Sequence, residues 1–206
     1  MTSNQATTPP TPPPNEGLAH LVLPFDPSSF PSAALTPPTP ALRFLFRIEA
    51  QLEAKWAAVG QSANAFRAIV PIKGGRIVAF PQPAPGEVGH ARVREGTKAF
   101  DGARIIVGGS DFLRRTDDGV FWPTAHYGFE LPSGHYLYVN SEGSRIILPH
   151  AKDPSDPAPN EMLFRLRLKL ESDDPDEEVQ RAVRSVLVAS AVRGLGTIAM
   201  DVYAVE

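Results

Sequence analysis

Phe164, Leu166, Leu168 and Leu170 alternate with Arg165, Arg167, Lys169 and Glu171. Period two is the signature of a strand, whose successive side chains point to opposite faces. Here one face is apolar and the other charged, so the sheet that contains it meets water on one side and buries the other. Leu42, Phe44, Phe46, Ile48, Ala50 and Leu52 repeat the pattern against Arg43, Arg47, Glu49, Gln51 and Glu53. Further runs at 68–72, 76–80, 104–113, 124–131, 135–140, 184–192 and 197–205 bring the expected total to about nine strands. Turn residues separate them: Lys73, Gly74, Gly75; Asp117, Asp118, Gly119; Pro132, Ser133, Gly134; Ser141, Glu142, Gly143; and Arg193, Gly194, Leu195, Gly196. One short helix is expected, over 176–183, with acidic Asp176, Glu177 and Glu178 in its first turn. Hairpin spacing with hardly room for crossover helices argues a mostly β, antiparallel barrel or sandwich.

Half of the 22 prolines fall within the first 40 residues, in runs such as Pro12, Pro13, Pro14. Such a segment sustains neither a helix nor a central strand. We therefore expect a disordered proline-rich tail over 1–40 and a single β-barrel domain over 41–206. The tail holds no Lys or Arg, and its apolar island, Leu21, Val22, Leu23 and Phe25, is short. Neither a signal peptide nor a membrane span is expected, which points to a cytoplasmic protein. A net charge of -3 offers no field for nucleic acid or anionic lipid. The absence of cysteine excludes disulfides, thiolate metal sites and thiol nucleophiles. The five histidines show no ligand spacing, so no metal is expected.

Strand parity sorts the remaining polar residues. Asp111 shares parity with Ile105, Val107 and Leu113, and points inward unless a bulge intervenes. Tyr127 shares parity with Ala125, Phe129 and Leu131. A three-residue turn at 132–134 sets Leu131 opposite His135, Phe129 opposite Leu137 and Tyr127 opposite Val139. The other face of that hairpin collects His126, Glu130, Tyr136, Tyr138 and Asn140. A carboxylate beside a phenol in an apolar interior is suited to proton transfer, because burial raises the Asp pKa and strengthens each hydrogen bond. The same Asp could equally accept backbone N–H bonds at a strand end, with Tyr127 as core filler. Arg145 could pair with Asp111, hold an anionic ligand, or lie solvated in a loop. Gly108, Gly109 and Ser110 lack the helix of a phosphate loop and read as a bulge or a close backbone approach.

Several segments together resemble the family catalogued as domain of unknown function 3237. They are FRAIVPIKGGRI at 66–77, GGSD at 108–111, the run Asp117, Asp118, Gly119, YGFELPSGHYLYVNSEGSR at 127–145, ESDDP at 171–175 and DVYAV at 201–205. The resemblance spans about 42–206 and implies a small barrel with a ligand-sized interior, often a homodimer. It places Asp111 at the family's Gly-Gly-x-Asp acid, Tyr127 at its strand tyrosine and Arg145 after the matching glycine. These three are the candidate catalytic residues, with Phe129, Leu137, Val107 and His126 as candidate substrate contacts. Fungal members often accompany genes of specialised metabolite biosynthesis, which extends the expectation to a fungal pathway. The function expected is a small-molecule enzyme needing no cofactor, an isomerase, cyclase or dehydratase working by general acid–base catalysis. The alternatives are a non-catalytic carrier of a hydrophobic or aromatic metabolite and a scaffold that recruits polyproline-binding partners.

Overall fold

Strands with one apolar face leave unpaired edges as well as a surface to bury, and closing the sheet into a barrel removes both problems. That is the arrangement in the computed structural model, which describes residues 39–62, 65–81, 95–153 and 157–206. Among the described residues there are ten strands: β1 Leu42–Leu52, β2 Ala57–Ser62, β3 Ala65–Val78, β4 Arg104–Thr116, β5 Phe121–Trp122, β6 Thr124–Glu130, β7 Tyr136–Ile147, β8 Met162–Ser172, β9 Val186–Gly194 and β10 Thr197–Val205. Eight of them close a ring in the order β1, β3, β4, β6, β7, β8, β9, β10 and back to β1, with every neighbour antiparallel. β2 extends the sheet beside β3, and β5 bridges β4 to β7 just before β6 begins. The tail expected over 1–40 lies outside the described residues except for Thr39 and Pro40. No described helix is long and apolar enough to cross a membrane.

The parity of β8 is as expected: Phe164, Leu166, Leu168 and Leu170 are buried, while Arg165, Arg167 and Lys169 face out. The β6–β7 hairpin has the anticipated register, with Phe129 opposite Leu137, Tyr127 opposite Val139 and the Leu131 N–H donating to the His135 carbonyl.

Two expected turns are not turns. β3 runs through Lys73, Gly74 and Gly75, where the pairing with β1 shifts register between Gln51 and Leu52. β7 runs through Ser141, Glu142 and Gly143 without interruption. A side chain at Gly143 would collide with the Arg165 carbonyl of β8, so this glycine permits close strand approach rather than reversal. Merging the runs 68–72 and 76–80 into β3 and adding β2 and β5 changes the expected nine strands to ten, while β7 only lengthens the run 135–140.

One end of the barrel is plugged. The helix α1, Glu177–Val183, is capped by Asp176, whose carboxylate accepts from the Glu178 and Val179 N–H groups. It sends Val179 and Ala182 into the core beside Phe100, whose ring packs 4.7 Å from that of Phe46. Ser133 of the hairpin turn donates to buried Asp174, which also accepts from the Asp176 N–H. This end is therefore filled by apolar side chains and tied by a short polar network. The polar interior lies at the other end.

Candidate functional site

The candidate site is built by parity on four strands at the end of the barrel opposite α1. On β7, Leu137, Val139, Ser141, Gly143 and Arg145 alternate inward, which carries Arg145 into the interior near the end of the strand. On β6 the same rule places Tyr127 inward, and it is buried.

β4 is subtler. Ile106 pairs with Gly128 and Ser110 with His126, so β4 carries two more residues than β6 between these pairs. An insertion of two preserves parity, and Asp111 therefore points inward like Ile105 and Leu113. The bulge itself bows outward and leaves Val107 77% exposed, which corrects its expected inward placement. Gly109 lies beneath the bulge, where a side chain would press on Tyr127. The bulge and the close backbone approach expected at Gly108 and Gly109 are both present, the approach at Gly109 alone, since nothing lies near Gly108.

A further polar residue, Arg193, completes the set. The expected turn at 193–196 ended β9 before it, but the observed loop is only Leu195 and Gly196, with Gly194 paired to Thr197. β9 therefore extends through Arg193, on the same parity as buried Leu187, Ala189 and Ala191. Counting parity two residues further along β9 would have found it.

Asp111, Tyr127, Ser141, Arg145 and Arg193 line one cavity with Leu52, Ile72, Leu113, Phe121, Phe164, Leu166, Ile198 and Met200. The free space among them is about 30 Å³, room for roughly one or two waters. Phe121, Arg145 and Arg193 are half-exposed, so the cavity is bounded at this end by side chains that reach solvent. The wall is also split there. β8 and β9 pair only from Arg165–Ser190 to Leu168–Leu187, so beyond that point toward the open end neither is bonded to the other.

Burial raises the Asp111 pKa above the ordinary carboxylate value, opposed by the charge of Arg193, the Thr124 backbone N–H and the charge of Arg145. Its Oδ1 is sequestered and, among the described residues, has no hydrogen-bond partner. Burial pushes the Tyr127 phenol up to about 12, with Ser141 opposing through a hydrogen bond and the Asp111 charge reinforcing the rise. The phenol also contacts Met200 Sδ at 3.6 Å. It is thus a neutral donor at ordinary pH. Burial lowers the Arg145 guanidinium to about 10, helped by the like charge of Arg193 and opposed by Asp111. Arg193 is also lowered by burial, against the pull of Asp111. Arg145 stacks on the Phe121 ring with its Cζ 4.2 Å from the centroid.

The cavity does not gather all of the sequence candidates. Phe129 and Leu137 are fully buried in the core but do not line this cavity. His126 lies on the outer face, where its Nδ1 is 2.6 Å from the Tyr138 hydroxyl and its ring stacks on Tyr138. Among the described residues no cluster of three or more His, Cys, Asp or Glu could hold a metal ion.

Fold and site together define a class: closed antiparallel barrels plugged at one end and lined at the other by a few inward polar groups. The family described as Protein of unknown function (DUF3237) matches residues 40–205, and the chain belongs to it. Three solved structures share the fold. A β-barrel-like protein from Acinetobacter baumannii is 20% identical, with 84% of this chain and 99% of that one covered at a TM-score of 0.65. A conserved protein of unknown function from Rhodopseudomonas palustris is 24% identical, with 82% and 100% covered at 0.63. An enzyme from Penicillium herquei is 16% identical, with 83% and 98% covered at 0.52. No curated protein matches the chain in sequence.

Proposed function

We propose that this protein is an enzyme of small-molecule metabolism that uses no cofactor and transfers protons through Asp111 to a substrate held in the polar end of the barrel. The observation that carries this reading is Asp111 itself, a carboxyl group that lines a cavity whose walls are otherwise largely apolar, with its Oδ1 sequestered and, among the described residues, without a hydrogen-bond partner. Burial raises the pKa of this carboxyl group, which favours its protonated form and suits it to give and take a proton. Tyr127 donates a hydrogen bond from the neighbouring strand, and Arg145 balances developing negative charge. Isomerisation, cyclisation and dehydration need only proton movement and a held conformer, which is all that these residues supply. The fold neighbour from Penicillium herquei is described as an enzyme, so this barrel is compatible with catalysis. Family resemblance suggests specialised metabolite biosynthesis as the setting.

The apolar lining supports a second reading, a carrier in which the same three residues anchor a hydrophobic metabolite.

Deletion of the gene in its host separates the two. Accumulation of a new intermediate, cleared by the wild-type protein and not by a folded Asp111→Asn variant, is the expected result. With that intermediate as substrate, Asp111→Asn should lower turnover by roughly 10²–10⁴, and Tyr127→Phe by less, since only one donor is lost. Unchanged metabolites in the deletion strain would favour the carrier. A folded Asp111→Asn protein with full activity would remove Asp111 from the mechanism.

A further inference from the structure

The cavity holds one carboxylate and two guanidiniums. Arg145 and Arg193 reach it from β7 and β9 with inward parity, on either side of the split between β8 and β9. Among the described residues neither guanidinium makes a hydrogen bond or an ion pair within 4.0 Å, although Arg145 is stacked on Phe121. Stacking fixes the plane of that guanidinium and leaves its N–H edge free to donate. With Asp111 ionised, the site still carries one uncompensated positive charge beside Leu52, Phe121, Phe164 and Ile198.

Keeping two cations together in apolar surroundings costs free energy, because each lowers the other and both lose water. The repulsion is visible in Arg145, which the Arg193 charge depresses. If they served only to pair with Asp111, one would suffice and would sit within ion-pair distance. A bidentate acceptor between them would relieve the repulsion and supply the missing partners.

We infer that the open end of the barrel binds a small molecule bearing one carboxylate, clamped by Arg145 and Arg193, with an apolar body laid against Leu52, Phe121, Phe164 and Ile198. With Asp111 ionised, the charge count selects a monoanion: one carboxylate neutralises the surplus, whereas a phosphate dianion would reverse it. This deepens the proposed function and rests on its location of the substrate, but not on Asp111 as the proton carrier.

The probes are benzoate and benzamide, which share an apolar ring and differ in charge. Titrated calorimetrically into the full chain at constant ionic strength, benzoate should bind roughly tenfold or more tightly than benzamide, as charge-assisted hydrogen bonds to arginine imply. Arg193→Gln and Arg145→Gln should each bring benzoate down to the level of benzamide while benzamide is unaffected. Arg193→Lys, which keeps charge without the fork, should fall between. Equal binding of the two probes, no benzoate binding at all, or benzoate binding retained in Arg193→Gln would each overturn the clamp. The wild-type comparison needs no substitution, so a misfolded variant does not obscure it. Asp111→Asn separates this inference from the catalytic one. It should leave benzoate binding intact or tighter, because a repelling charge is removed. Full activity in that variant together with intact benzoate preference would discard the acid–base reading and leave the clamp standing.

Discussion

At the scale of single residues, Asp111 is held between opposing influences: burial raises its pKa, and Arg193, the Thr124 N–H and Arg145 draw it back. A carboxylate whose folded pKa lies above its unfolded value contributes stability that is fully present below the unfolded pKa. That contribution is lost as pH rises through the folded pKa. Asp111→Asn abolishes this dependence. The variant should therefore gain in stability relative to wild type as pH rises from about 4 toward 7, measured by urea denaturation across that range. A flat difference would mean that the carboxyl titrates as if exposed. Removing the Arg193 charge should raise the Asp111 midpoint further, read by carboxyl carbon NMR in Arg193→Gln. An unmoved midpoint would place the guanidinium too far away to act on it.

At the scale of elements, β8 gives the clearest contrast between faces. Leu168 is buried against the core, while the Arg167 side chain is 77% exposed and pairs with Glu142 on β7. Leu168→Ala should cost roughly 2–5 kcal/mol by leaving a cavity. Arg167→Ala should cost less than about 1 kcal/mol, because an exposed ion pair exchanges solvent for a partner with little net gain. Chemical denaturation of the two variants checks this, and equal losses would overturn the face assignment. The strand was legible because its alternation is unbroken. β4 and β9 were less so. At β4 the bulge over Gly108 and Gly109 expels Val107 yet restores parity in time for Asp111. At β9 a glycine-rich stretch looked like a longer turn than the strand pairing allows, and this concealed Arg193.

At the scale of the whole molecule, the barrel strands all lie between Ala41 and Glu206, and these two residues exchange backbone hydrogen bonds of 2.8 and 2.9 Å. The β1–β10 seam is thus closed without any residue before Ala41. A truncation beginning there should unfold cooperatively, with a Tm within a few degrees of the full chain. A large fall would show that earlier residues complete the fold. The sequence by itself determined the strand-rich class, the buried face of each regular strand, the register of the β6–β7 hairpin and the inward direction of Asp111 and Tyr127. All follow from period-two alternation and a short turn, which are local rules. Only the tertiary structure decided that Gly75 and Gly143 lie within continuous strands rather than at reversals, that β2 and β5 form, and that Arg145 and Arg193 line one cavity with Asp111. A glycine serves a turn and a close strand contact equally well. Which role it takes depends on what backbone lies opposite, and in a closed barrel that backbone comes from distant parts of the chain.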